Sequence, residues 1–134
     1  MHEEIAVDHI LNAMKMAMQL QDEDQFALSI QILLEYYEIQ QNYDMLKELK
    51  LKALEFWQSM QIFTRQFKTL IDLGVLSEIL NKFEEAIGFF KQAYNLAFKQ
   101  NDAEKMFLAQ GFIAECYFKI NELDKARKTY LEAF

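Results

Sequence analysis

The feature that most constrains this chain is a repeat of forty residues. When the sequence is laid over itself at that spacing, segments 41–53, 81–93 and 121–133 align. The recurring positions are Leu46, Ala86 and Ala126 at one phase, Lys50, Phe90 and Tyr130 at a second, and Ala53, Ala93 and Ala133 at a third. Small and aromatic residues at fixed intervals are what close helix crossing requires. The repeat therefore predicts a stack of similar helical units.

Each unit is predicted to hold two helices, A and B. The A helices are expected at 24–40, 63–80 and 103–120, and the B helices at 42–60, 82–99 and from 122 to the end. Gln41, Asn81 and Asn121 stand between A and B, and Asn tolerates the left-handed backbone that ends a helix. Asp22 and Asp102 stand where the next A helix needs an N-cap. Because residues 3–20 align with the B helices, we expect about seven helices in all.

Composition supports an all-α fold. The chain has 134 residues, no proline and three glycines, which leaves little material for tight hairpins or a phosphate-binding loop. Its length and its 52% hydrophobic content predict one domain, 1–134, with its own core. A net charge of −7 disfavours nucleic acid as a partner. We expect a soluble protein with no membrane segment, and the single cysteine favours the reducing cytoplasm.

The repeat positions resemble those of tetratricopeptide repeats. In repeat 2 (63–99), Leu73-Gly74 matches the A-helix pair, and Ala86, Phe90 and Ala93 match the B-helix set. Repeat 3 (103–134) matches through Ile113-Ala114, Tyr117, Ala126, Tyr130 and Ala133, and repeat 1 (24–60) through Leu33, Tyr37 and Ala53. The family's closing proline is absent, and the period is forty instead of thirty-four. Longer repeats of this kind resemble those of kinesin light chains and cell-polarity adaptors.

The resemblance implies a right-handed α-solenoid whose concave groove, lined by A helices, binds a peptide or a partner's helix without catalysis. The groove positions that it implies are Gln31, Glu35 and Glu38, then Lys68, Ile71, Val75 and Glu78, then Gly111, Glu115, Phe118 and Lys119. This mildly acidic face would complement a segment that mixes basic and apolar residues. Both ends of the sequence look cut within the repeat pattern, so a place in a larger adaptor is one expectation. A peptide-sensing regulatory domain is an alternative, and a protomer that self-associates through its first and last helices is another.

The sequence offers little for chemistry. His2 and His9 lie seven residues apart with no third ligand in phase, and acidic residues near a helix start are favoured by its dipole. Cys116 has no histidine near it in the sequence, so a buried apolar role is preferred to a nucleophilic one. We therefore expect a protein that is not an enzyme and holds neither cofactor nor metal.

Overall fold

A computed structural model describes residues 2–133, apart from the side chains of Ala126, Tyr130 and Ala133. All regular structure in that range is α-helical. The helices are α1 (His2–Leu20), α2 (Glu23–Ile39), α3 (Tyr43–Ser59), α4 (Phe63–Ile79), α5 (Phe83–Lys99) and α6 (Ala103–Ala133). Consecutive helices pack as pairs, α1 with α2, α2 with α3, α4 with α5, and α5 with α6. The predicted all-α helical repeat is confirmed.

The residues group into two compact units within the predicted domain, Met1–Ile62 and Phe63–Phe134. The first unit holds α1, α2 and α3 around an aromatic cluster. Phe26 of α2 is fully buried, with its ring centroid 4.1 Å from that of Phe56 and 5.1 Å from that of Trp57. Met14 of α1 is buried in the same cluster. The segment predicted as a lone B-type helix thus packs on the first A helix.

The second unit is organised by one close helix crossing. Phe90 of α5 is fully buried and stacks on Phe112 of α6, with ring centroids 4.8 Å apart. Gly74 of α4 lies directly under the Phe90 ring, since a Cβ built there would lie 2.6 Å from Phe90 Cζ. That separation is too short for any carbon pair, so only glycine permits α4 and α5 to approach this closely with the aromatic ring in place.

The turns repeat every twenty residues, which is half the period found in the sequence. Gln21, Gln41, Gln61, Asn81 and Asn101 all adopt left-handed backbone, with φ between 52° and 59°. At each turn the following amide donates back to a carbonyl five residues earlier, as in Asn42 N to Tyr37 O at 3.0 Å. This pattern satisfies carbonyls that the helix end leaves unpaired. The left-handed conformation predicted at Gln41 and Asn81 is confirmed.

Side chains cap several of the helices that follow these turns. The predicted caps are present, because Asp22 accepts a hydrogen bond from Gln25 N and Asp102 accepts one from Lys105 N, both at 3.2 Å. The Lys105 amide bond, followed by its side-chain contact, lowers the pKa of Asp102 from its usual value. Asn42 caps α3 in the same way. Lys82, at the corresponding position of α5, makes no side-chain cap.

The helix break predicted at Asn121 does not occur. Residues 103–120 and 122 onward form one 31-residue helix, α6, so the described residues form six helices, close to the seven expected. Asn121 is twenty residues beyond Asn101 and forty beyond Asn81, both left-handed, yet it is helical itself. The cost of placing Asn inside a helix is modest, so an Asn that could form a left-handed turn can also remain helical.

Candidate partner-binding face

The second unit places two rows of predicted groove residues on one surface, which we call the α4/α6 face. Its α4 members are Lys68, Ile71, Val75 and Glu78, and its α6 members are Gly111, Glu115, Phe118 and Lys119. Spacings of three and four residues keep each row on one side of its helix. Hydrogen bonds from α6 to Glu78 join the two rows. The two rows thus meet at Glu78, and three pairs of their positions, 71 with 111, 75 with 115 and 78 with 118, are forty residues apart in sequence.

The floor and rim of the α4/α6 face differ in polarity. Ile71 is buried and Val75 is half-buried, whereas Lys68 and Gly111 are exposed. Phe118 is 64% exposed and lies one helical turn from the charged Glu115. Exposed aromatic side chains are common among the residues that dominate the binding energy of protein interfaces.

An ion-pair network closes one end of the α4/α6 face. Lys119 Nζ lies 2.9 Å from Glu78 Oε2 and 3.2 Å from Glu115 Oε1. Hydrogen bonds to Glu78, and next to Glu115, raise the pKa of Lys119 above its usual value. The Glu78 side chain is only 12% exposed, while that of Glu115 is 53% exposed. Glu115 therefore keeps oxygen capacity for a partner, whereas Glu78 is committed to holding α6 on α4.

Cys116 takes part in the same network as a hydrogen-bond donor. It is fully buried, and its Sγ lies 3.1 Å from Glu78 Oε1. Burial first, and the Glu78 carboxylate second, raise the pKa of the thiol to about 12. A thiol that stays protonated at neutral pH is a poor nucleophile. The preference for a buried structural cysteine is confirmed.

The first unit carries the remaining predicted groove residues on α2. Gln31, Glu35 and Glu38 are all exposed on one side of that helix. Gln31 Nε2 donates to Glu35 Oε1 at 3.4 Å, which leaves the second carboxylate oxygen of Glu35 free of that bond. The two carboxylates make this surface acidic.

Two cavities in the second unit were not found from the sequence. One of about 610 Å³ lies between the start of α5 and the middle of α6, and is lined by Asn81, Lys82, Phe83, Glu84, Glu85, Ile120, Leu123, Asp124 and Arg127. It exists because α6 runs straight past Asn121, which the repeat pattern did not indicate. The other, of about 360 Å³, lies among Phe63, Thr64, Phe67, Leu96, Ala97, Gln100, Asp102 and Lys105. The amine of Lys105 sits 5.8 Å from the Phe67 ring centre there, close enough for a cation–π contact.

Neither a membrane span nor a metal cluster is present in the described part of the chain. Across residues 2–133, no helix combines the length and apolar character that crossing a bilayer demands. Nor do the described His, Cys, Asp and Glu side chains gather in a group of three or more suited to a metal ion. His2 and His9 lie on the exposed side of α1.

Comparison with known proteins finds a relative in Arabidopsis thaliana. No protein-family model matches the chain. It is 31% identical over 78 residues to Protein FLUORESCENT IN BLUE LIGHT, chloroplastic, of Arabidopsis thaliana, an alignment covering 58% of this chain and 25% of that protein. The chain thus spans about a quarter of this relative's length.

The fold comparison agrees with the sequence comparison. The crystal structure of the TPR domain of Arabidopsis FLU superposes with a TM-score of 0.61 and 25% identity, covering 77% of this chain and 87% of that domain. The matched repeat positions, the consecutive helix pairs and this structural similarity show that the chain has a helical-repeat fold similar to that of tetratricopeptide-repeat domains.

Proposed function

We propose that this protein is a non-catalytic interaction module and that the α4/α6 face binds an extended peptide or a helix of a partner protein. The coarser part follows from the fold, since tetratricopeptide domains bind proteins. The observation that carries the finer part is Phe118, a 64% exposed aromatic that precedes Lys119 of the ion-pair network on α6. Exposed aromatics set in such surroundings dominate the binding energy of many interfaces.

The chemistry of the α4/α6 face defines the ligand that we expect. Phe118 and the floor at Ile71 and Val75 suit an apolar side chain, and the exposed Glu115 carboxylate suits a lysine or arginine one turn away. The acidic surface of α2 and the net charge of −7 favour the approach of a basic segment. The proposed ligand is therefore a segment that interleaves basic and apolar residues.

The wider role stays a proposal as well. The groove residues of α2 are proposed as a second contact region, and the whole protein's place in an adaptor follows only from the resemblance. The cytoplasm is the compartment that the single cysteine favours. The Arabidopsis relative is named as chloroplastic, which describes that protein.

The experiment is a selection of peptides from a random display library on the wild-type chain, followed by calorimetric titration of the selected peptides. Phe118→Ala is expected to weaken binding at least tenfold, because truncating a central aromatic anchor costs about 2 kcal/mol or more. Glu115→Lys is expected to weaken basic peptides further and to reduce the dependence of binding on salt.

Matched controls separate the face from general surface effects. Phe98→Ala removes an equally exposed phenylalanine (62%) from α5, and Glu104→Lys reverses an exposed charge in the first turn of α6. Both control variants should bind the selected peptides as the wild type does. Selected peptides that bind Phe118→Ala and Phe98→Ala with the same affinity would refute the assignment of the α4/α6 face.

A further inference from the structure

One side of α6 is apolar and uncovered between residues 103 and 120. Phe107 is 74% exposed, Tyr117 is 48% exposed, and Ala114 between them is exposed as well. Their counterparts forty residues earlier are Phe67, Gly74 and Ser77, and all three are buried. We call Phe107, Ala114 and Tyr117 the α6 stripe. The residues of the α6 stripe are thus exposed at repeat positions whose α4 residues are buried.

The repeat itself shows what should cover the α6 stripe. In the second unit, Phe90 of α5 lies over Gly74 of α4. Forty residues on, Tyr130 takes the position of Phe90 and Ala114 that of Gly74. Residues 122–133 are thus, by sequence, the B-type segment that matches the stripe.

This segment cannot reach the stripe of its own chain while α6 is straight. Residues 114 and 130 lie on one continuous helix, and sixteen residues at about 1.5 Å each separate them by about 24 Å. Residues 122–133 and the α6 stripe that they match therefore lie at different positions along one straight helix. A second copy can bring them together.

We propose that two copies of this chain pair through α6, each laying residues 122–133 on the α6 stripe of the other. The contact between Gly74 and Phe90 fixes the register of an antiparallel pair. The same register, at the wider spacing that the Cβ of Ala114 requires, places residue 114 of one copy against residue 130 of the other. The two-fold axis then passes beside residue 122, so the arrangement closes on itself with two identical contacts. The proposed pairing is a domain swap. Asn121 is in phase with five left-handed residues, so a turn there would fold residues 122–133 back on the same chain, and in the pair each copy gives that segment to the other.

The first test is light-scattering mass across a concentration series, combined with short-spacer bismaleimide crosslinking. All chains carry Cys116→Ser, which removes the native thiol and keeps a hydroxyl donor for Glu78. One protein carries Ala114→Cys and a second carries Arg127→Cys, one helical turn from the paired position. Each single-cysteine protein, crosslinked by itself, measures linking by random collision. A third protein that carries both cysteines measures linking within one chain.

The expected result is a mass near twice the 16.0 kDa of one chain and a linked product from the mixed single-cysteine proteins well above that of either alone. A monomer at every concentration would overturn the proposal. So would a dimer without that mixed product, because it would use another surface. Linking confined to single chains in the double-cysteine protein would show that residues 122–133 fold back on their own α6.

A second test uses the hinge residue. Asn121→Gly favours a left-handed break, whereas Asn121→Ala favours the straight helix. In the proposed exchange, a separated chain closes the hairpin at residue 121 and a paired chain keeps α6 straight. The dimer dissociation constant should therefore differ between the two variants by about fivefold per chain, thus by about 25-fold for the two hinges of a dimer, with Asn121→Ala the tighter. Gln110→Ala, an exposed change on the same helix, serves as the control. Equal dissociation constants for the two Asn121 variants would contradict the exchange.

Discussion

Gly74→Ala tests whether the crossing of α4 and α5 is as close as the structure shows. An added Cβ would overlap the Phe90 ring, and that ring cannot turn aside freely because it stacks on Phe112. Overpacking of this kind costs about 1–3 kcal/mol. Replacing a helical glycine by alanine also gains about 1 kcal/mol of helix propensity, so the net loss of unfolding free energy is expected to be about 0–2 kcal/mol.

Gly88→Ala is the matched control that removes the propensity gain from the comparison. Gly88 is exposed in α5, and a Cβ there would have no neighbour within 4 Å. Gly88→Ala should therefore stabilise the protein by about 0.5–1 kcal/mol, and Gly111→Ala, equally open, should do the same. The difference between the Gly74 and Gly88 variants isolates the clash, at about 1–3 kcal/mol.

The assay is urea unfolding followed by far-ultraviolet circular dichroism, with the free energy obtained by linear extrapolation. Phe90→Leu should cost less in the Gly74→Ala chain than in the wild type, because the smaller side chain relieves the overlap. Equal stabilities for the Gly74→Ala and Gly88→Ala chains would refute the argument.

Two further predictions concern the thiol and the helix caps. The pKa of Cys116 is raised from 9.0 to about 12 in the folded protein. The thiol of the unfolded chain therefore loses its proton at a lower pH than the thiol of the folded chain. The free energy of unfolding should be insensitive to this group below pH 9 and should fall as pH rises from 9 to 12. Comparison of Cys116→Ser with the wild type across that range checks this, and identical pH dependences would contradict it. Asn42→Ala should cost about 1 kcal/mol through loss of the α3 cap, whereas Lys82→Asn should gain about 0.5–1 kcal/mol by supplying the cap that α5 lacks. Urea unfolding measures both, and a Lys82→Asn chain no more stable than the wild type would show that the α5 turn cannot accept a cap.

Much of the fold could be predicted from the sequence because the same packing problem recurs every forty residues. Leu73-Gly74 with Phe90 indicated a close crossing, and the structure places Phe90 over Gly74. The twenty-residue spacing of the turns was missed at Gln21, Gln61 and Asn101, although each is polar and stands at the same phase. A search at half the period would have found them.

The exception at Asn121 has a physical reason. Asn tolerates both helical and left-handed backbone, so its local propensity does not determine which conformation forms. The packing of the segments on either side of it determines the conformation. At Asn81 the turn is accompanied by burial of Phe90 on Gly74, whereas residues 122–133 make no such hairpin in the structure. The repeat pattern indicates that residues 122–133 match the α6 stripe, and the proposed pairing of two copies would bring the two surfaces together.

The candidate face was predictable in part. The matched repeat positions predicted Glu78, Glu115 and Lys119 on one surface, but no sequence pattern indicates that Cys116 joins them through a hydrogen bond. Nor could it show that Ile71 lies buried while Phe118 stays exposed, because both depend on the depth at which α4 and α6 pack. The hydrophobic residue type alone does not show whether a side chain is buried in the surface or exposed on it.

The most direct test of the interaction account is nuclear magnetic resonance mapping of a display-selected peptide on the isotopically labelled chain. The account predicts that the largest amide shift changes fall within Lys68–Glu78 of α4 and Gly111–Lys119 of α6, and that Phe118→Ala abolishes them while Phe98→Ala leaves them unchanged. Shift changes concentrated on α5, or unaffected by Phe118→Ala, would contradict the account.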